Sequence, residues 1–473
     1  MNPPTTSRLP RSERGSLLIV AMLLCAIIGV SLVSYYKLAA TTLKGSTRSF
    51  LSMSNLDLAE IGVEQAMACF YDQSTGTASA TAWTGWTLSG TTAKRTFSGY
   101  VPAPNCTGVV RVYVYYYTNS GGTPVIVAKA TITPPDGPPL DKFIEVTLRN
   151  RGLWSTGLVG KTSVRMNSNA RADSWMSDPD SDASTAAVAY SSGVRRDNGT
   201  VGTPNSANGS ITMDSNAEIY GTANTGGGTV TTNSNVRIYG ASSPSSPKVD
   251  TSRVHTDFNY TFPAITVPAP TTVNTISTSV TAPRTFPQSG DNINASDGKY
   301  YYSFGSGNNI NMDSNKNLTI DGKVVWLLQS HLGVDAIHTS SNADTVFSGT
   351  TSTLEIYTNG NITLDSNNDI NASGQPSRCL VYGTSATTQT FTLSSNVNWG
   401  AAIYAPNMTF RIDSNCSLFG SVVANTIQMD SNAAFHYDES LGNLGGGTGV
   451  SVSKWKELQS AADRATYASV LNF

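Results

Sequence analysis

Beyond position 158 the chain keeps returning to one short phrase: an apolar residue, then Asp, Asn or Ser, then Ser-Asn. It stands at Met166-Asn167-Ser168-Asn169, Met213-Asp214-Ser215-Asn216, Thr232-Asn233-Ser234-Asn235, Met312-Asp313-Ser314-Asn315, Leu364-Asp365-Ser366-Asn367, Leu393-Ser394-Ser395-Asn396, Ile412-Asp413-Ser414-Asn415 and Met429-Asp430-Ser431-Asn432, with Thr232 in the apolar slot. The starts at 393, 412 and 429 lie 19 and 17 residues apart, and those at 213 and 232 lie 19 apart. A unit this short cannot bury its own apolar residues, so copies must stack, and each residue type then recurs at one angular position. The spacing is that of one coil of a parallel β-helix. Asx side chains bond their own backbone, and Asn tolerates the left-handed conformation that a tight corner needs. Stacked Asn169, Asn216, Asn235, Asn315, Asn367, Asn396, Asn415 and Asn432 are expected to form a side-chain ladder.

Other uses of these corners fit less well. A calcium site needs several converging carboxylates, and each corner supplies one at most. Ice binding would need a regular Thr-x-Thr ladder, which is not seen. Polysaccharide-cleaving β-helices need paired acids or a placed base, but His255, His331, His338 and His436 show no motif spacing. The sequence therefore predicts no enzyme, no cofactor and no metal site.

A second feature sets where the passenger lives. Residues 15–36, between Arg14 and Lys37, carry no charge. At about 1.5 Å per residue they make a helix of roughly 33 Å, enough to cross a bilayer core of about 30 Å. Leu17, Leu18, Ile19, Val20, Leu23, Leu24, Ile27 and Ile28 supply much of its apolar surface, and Tyr35 and Tyr36 suit a membrane interface. The run is too long for a cleaved secretory signal. Arg8, Arg11 and Arg14 before it nearly balance Lys37, Lys44 and Arg48 after it, so the short leader, not charge, argues for a cytoplasmic N-terminus.

At 473 residues the chain has room for two or more domains. Charged residues make up 13% and the net charge is −2, which offers nucleic acid no basic face. Cys25 lies in the span; Cys69 with Cys106 and Cys379 with Cys416 is the simplest disulfide pairing, with buried thiols the alternative.

Leu38 to Phe70 lacks proline and has apolar residues at near-helical spacing, which predicts a stalk continuing the span. Glu60 and Glu64, four apart, share one face of it. Val109 to Tyr117, the turn Asn119-Ser120-Gly121-Gly122 and Val125 to Ile132 predict a hairpin, and Phe143 to Arg149 a further strand. Tyr113, Tyr115 and Tyr117 alternate onto one face. Prolines crowd residues 242–288, read as an excursion, and Lys454 to Tyr467 has the spacing of a short amphipathic helix that would cover the open end of the coils or dock on the head.

A basic leader ending in Arg14-Gly15, a long apolar helix and Ala59-Glu60-Ile61-Gly62-Val63-Glu64-Gln65-Ala66 together resemble the N-terminus of PilX-like pilus-assembly proteins, relatives of the type IV pilins. Asp173-Ser174-Trp175, Gly400 to Asn407, Gly420 to Asn425 and Ala433 to Glu439 resemble the β-helix-like domain behind such N-termini. The resemblance implies leader cleavage between Gly15 and Ser16 and packing of the apolar helix into a filament core. True pilins carry a glutamate five residues into the mature chain, where this chain has Val20, which favours a minor or accessory subunit.

The reading is mainly β: a leader (1–14), a transmembrane helix (15–36), a stalk helix (37–70), a small α/β head (71–158), a right-handed parallel β-helix (159–445) with its Pro-rich insert, and a C-terminal helix or cap (446–473). Its expected place is the bacterial inner membrane, single-pass, with the bulk periplasmic or extracellular. Its expected partners are the lipid bilayer and other pilins or assembly proteins. The alternative is a surface adhesin or carbohydrate-binding β-helix, whose partner is an extracellular polysaccharide or surface ligand; a polysaccharide-active enzyme comes third.

Overall fold

A computed structural model of the chain describes residues 13–473 apart from 75–76, 119–122, 181–184, 234, 242–247, 373–374, 414, 431 and 445–448. Leader residues 1–12, the turn 119–122, the corner serines Ser234, Ser414 and Ser431, and the start of the Pro-rich insert lie outside the described residues. The fold is mainly β with one long N-terminal helix, and most of its strand pairs are parallel. It forms two compact units that do not follow chain order: residues 1–70, 79–148 and 452–473 make the first, and 71–78 with 149–451 the second.

Helix α1 (Glu13–Ser74) runs without a break through the expected boundary between span and stalk. Its second half lies on an antiparallel meander of β1 (Thr87–Ser89), β2 (Thr92–Tyr100), β3 (Thr107–Tyr115), β4 (Val125–Thr133) and β5 (Leu140–Arg151). Strand β3 alternates: Val110, Val112 and Val114 are fully buried, and the residues between them are partly exposed. Small residues let the helix come close. A Cβ on Gly62 would sit 2.6 Å from Val110 Cγ1 and 2.8 Å from Val112 Cγ2, and Ala59 and Ala66 are fully buried on the same helix face.

The other face of this sheet is covered by the end of the chain. Val127 and Phe143 pack with Leu458, Tyr467, Val470, Leu471 and Phe473, and Tyr113 and Tyr115 join them, half-buried. The described residues 449–473 thus belong to this sheet and its cover and are not a separate cap. Gly449–Glu457 is a strand beside β5, and the helix is only Ala461–Ala468. The helical spacing expected from Lys454 yields to pairing, because Leu458 N–H donates to Phe143 O (2.9 Å) and Lys142 binds Glu457. The helix starts instead at Ser460, whose hydroxyl caps Asp463 N–H (3.0 Å).

In the second unit each strand pairs in parallel with a strand some way along the chain. From residue 274 onward the order is regular: Asn274–Ile276 pairs with Tyr300–Phe304, that with Lys323–Leu328, that with Thr353–Thr358, and that with Cys379–Gly383.

 The run continues through Asn398–Ile412 to Ser417–Met429. The next partner of Ser417–Met429 is not a later strand but the unit's first, Leu158–Met166, which in turn pairs with Val201–Thr203 and Ile211–Met213. In the same way Ala434–Asp438 pairs with Arg171–Trp175, whose first residues pair with Glu218–Tyr220, which pairs with Arg237–Tyr239. The chain therefore enters this sheet in its middle, builds to one end near residue 255, and resumes at the other end at residue 274.

The intervening stretch is the aromatic part of the Pro-rich excursion. Tyr260 is buried with Leu153, Trp154, Val159 and Tyr404, while Ile265 and Val267 pack on Tyr301, Val325 and Tyr357. Tyr404 Oη donates to Pro263 O (2.8 Å). The excursion is shorter than expected, since Asn274–Ile276 and Arg284–Phe286 are strands within 242–288. Pro283 and Pro287 flank the second of these, at the end of the pairing order, where a strand lacks a partner on one side and proline is tolerated.

Candidate functional site

The first half of α1 is the most exposed apolar surface of the first unit. Leu17, Leu18, Ile19, Val20, Leu23, Leu24, Ile27 and Ile28 are each more than half exposed, and this is a helix long and apolar enough to cross a membrane. Soluble proteins rarely leave so large an apolar patch uncovered. Gly15 and Ser16 are helical in backbone, at the start of the same helix. Glu60 and Glu64 are exposed, while Gly62 between them faces the sheet. The alternation of acid and small residue in that segment thus serves two sides of one helix.

In the second unit Asn169, Asn216, Asn235, Asn315, Asn367, Asn396, Asn415 and Asn432 all have left-handed backbone, with φ between 60° and 68°. Four of them form one chain of amide hydrogen bonds. Asn216 donates to Asn169 (3.1 Å), Asn169 to Asn432 (2.9 Å), and Asn432 to Asn415 (3.0 Å). Asn396 donates to Asn367 (3.1 Å). Asn315 accepts instead from Asn342 (3.2 Å), which ends a further corner, Thr339-Ser340-Ser341-Asn342, and Asn235 accepts from Lys248 (2.7 Å). That further corner has Thr in its apolar slot, as the corner at Thr232 does.

Where the first and last strands of this unit meet, polar groups are buried together. His436 stands opposite Asp173 in the strand pair, and its Nδ1 lies 2.5 Å from Asp173 Oδ1. Tyr190 Oη donates to Asp173 Oδ2 (2.7 Å), and the Arg171 guanidinium lies 3.5 Å from the same oxygen. The imidazole is held between two rings, with centroids 3.7 Å from Tyr190 and 5.0 Å from Phe419. Two positions on, Asp438 accepts from Ser177 N–H (3.0 Å), Ser177 Oγ (2.6 Å) and Ser440 N–H (3.1 Å).

Burial lowers the pKa of His436, and the Asp173 contact opposes it; burial raises that of Asp438, against the bonds from Ser177 and Ser440. His436 is 3% exposed and Asp173 0%, so the pair presents almost no surface to a solute. The arrangement can fasten two strands and sense protons. Asp173-Ser174-Trp175 and His436-Tyr437-Asp438-Glu439 are conspicuous in the sequence, but nothing local says that they are neighbours, and Tyr190 carries no signal at all.

The five cysteines stand as thiols, not disulfides, so the buried-thiol alternative holds. Burial pushes Cys379 up to about 12, far from a reactive thiolate. Among the described residues no group of three or more His, Cys, Asp or Glu could hold a metal.

A family model described as Domain of unknown function (DUF7305) matches residues 262–444, which lie within the second unit and begin in the aromatic part of the Pro-rich excursion. Comparison with curated proteins and with solved structures returns no match.

Proposed function

We propose that the chain is a pilin-like minor or accessory subunit of a type IV pilus or a related secretion filament, anchored in the bacterial inner membrane, with its second unit outside the cytoplasm. The observation that carries this reading is the division of α1. Its first half is apolar and exposed, and its second half is buried against an antiparallel sheet. Such a helix can rest in lipid and later exchange lipid for neighbouring helices as its apolar surroundings, without refolding the domain behind it. The resemblance of residues 14–66 to PilX-like N-termini supports the same reading.

The second unit is read as a right-handed parallel β-helix. Support comes from parallel partners 17 to 29 residues apart in sequence at the asparagine corners, and from the recurrence of one left-handed residue at each. The Pro-rich strap lets such a stack begin in its middle, with the first and last strands fastened to each other. No catalytic role is assigned to any residue.

N-terminal sequencing of the chain recovered from sheared filaments tests the proposal. Recovery in filaments without residues 1–15 is the expected result. An intact N-terminus retained in the membrane, with no chain in filaments, would overturn it in favour of an anchored adhesin.

A further inference from the structure

We propose that the first unit holds an anionic phospholipid head group in a groove beside α1. This rests on the anchored reading above. The groove has a volume of about 560 Å³ and lies between α1 and the loops around residues 104 and 135. Its floor is apolar, with Leu51 and Cys106 buried at 3% and 4% exposure, and Pro104, Pro135 and Leu140 form its walls. The loop is fixed to the helix by Asn55, whose amide donates to Leu140 O (2.7 Å). Lys44 and Arg48 stand on the lining, both exposed, with one carboxylate, Asp136. Among the described residues neither cation is in an ion pair.

The occupant is chosen by height and charge. Lys44 follows Tyr36, the last uncharged residue of the span, by about 12 Å of helix at about 1.5 Å per residue. Helical side chains lean toward the N-terminus, so both long cations reach back toward the bilayer surface, where phosphates lie. Two positive charges outnumber the one negative, and an apolar floor accepts the glycerol and first methylenes that a free anion lacks. A neighbouring helix could fill the apolar floor but would leave both cations without partners.

Native mass spectrometry of the full chain, released from nanodiscs of phosphatidylcholine with graded phosphatidylglycerol, tests the site. Retained phosphatidylglycerol is expected, with apparent affinity falling about fivefold for K44Q or R48Q and about 25-fold for both. K44R/R48K should keep it, and inorganic phosphate should not displace it. Because both cations are exposed, the melting of the head should not change in any variant. Equal retention by wild type and K44Q/R48Q, displacement by phosphate, or protection of the groove by a second copy of the chain would each overturn the proposal. Failure of the wild type to resist carbonate extraction from membranes would overturn the anchored reading itself, a result visible before any lipid is measured.

Discussion

In the first unit β1 to β5 each lie beside their neighbour in sequence, and a helix covers one face of the sheet while the chain's end covers the other. In the second unit strands pair in parallel with partners 17 or more residues along the chain, and left-handed asparagines recur between them. Each unit nevertheless has one junction that spans most of the chain. Asn169 meets Asn432 across 263 residues in the second unit, and Lys142 meets Glu457 across 315 in the first. The junctions are nested: residues 434–438 complete the second unit before 449–457 complete the first. A β-rich unit can therefore sit as an insertion in another, provided that each is closed by its own strands.

Truncation after residue 451 is the strongest way to break this comparison. It removes the edge strand and uncovers Val127 and Phe143, taking away Leu458 and Leu471, both buried, with three partly buried partners. The loss is about 7 kcal/mol, from about 2 for each buried side chain and about 1 for each partial one. Calorimetry of the detergent-solubilised truncated chain, compared with the full chain, should show the first unit's transition lost and the second unit's unmoved. Loss of both would mean that the closures are not independent.

Gly62→Leu should cost the first unit about 3 kcal/mol, because even a Cβ there meets two valines of β3 and the backbone of a packed helix cannot retreat. Glu60→Gln, two residues away on the exposed face, should change stability by less than about 0.5 kcal/mol. A chemical denaturation curve for each variant reads the difference. Similar effects would mean that helix and sheet are not in close contact.

What was legible in the sequence was local. The alternation in β3 follows from the burial of one face against α1, and the left-handed corners follow from the chemistry of Asn, each readable within a few residues. The uncharged run before Lys37 was equally plain. Order was not legible. Nothing near Leu158 says that it lies beside Val422, and nothing near Lys454 says that it pairs with β5 instead of continuing a helix. The buried cluster at Asp173 and His436 was missed for the same reason, since a lone histidine acquires its meaning only from a partner far along the chain.

The corner asparagines offer a smaller test, one that separates backbone from side chain. Asn169 both donates and accepts in its column and has φ 64°. Asn169→Ala should lower the second unit's stability by about 2 kcal/mol, combining left-handed strain with lost hydrogen bonds, whereas Asn169→Gly should cost about 1. Urea unfolding followed by circular dichroism measures both. If Gly were as costly as Ala, the column would carry the stability and the backbone conformation would not.

The smallest expected effect is on pH, and it sharpens the comparison because all four histidines belong to the second unit. Burial holds the pKa of His436 below its ordinary value, so on acidification the unfolded chain takes up the proton first. Stability is then full above about pH 6.5 and declines below it, by at most about 1.4 kcal/mol for each pH unit until the folded pKa is reached. Asp438 acts in the opposite sense: its raised pKa favours the fold at acid pH, and this contribution is lost as pH rises through that pKa. In the first unit the Lys142 contact lowers the pKa of Glu457, whose contribution is present above about pH 4.5 and lost below it. Between pH 7.5 and 5.5 the second unit's melting temperature should therefore fall while the first unit's stays level. His436→Gln, which keeps a donor for Asp173, should flatten the second unit's response. An unchanged slope in that variant would move the proton sensor away from the junction of the first and last strands.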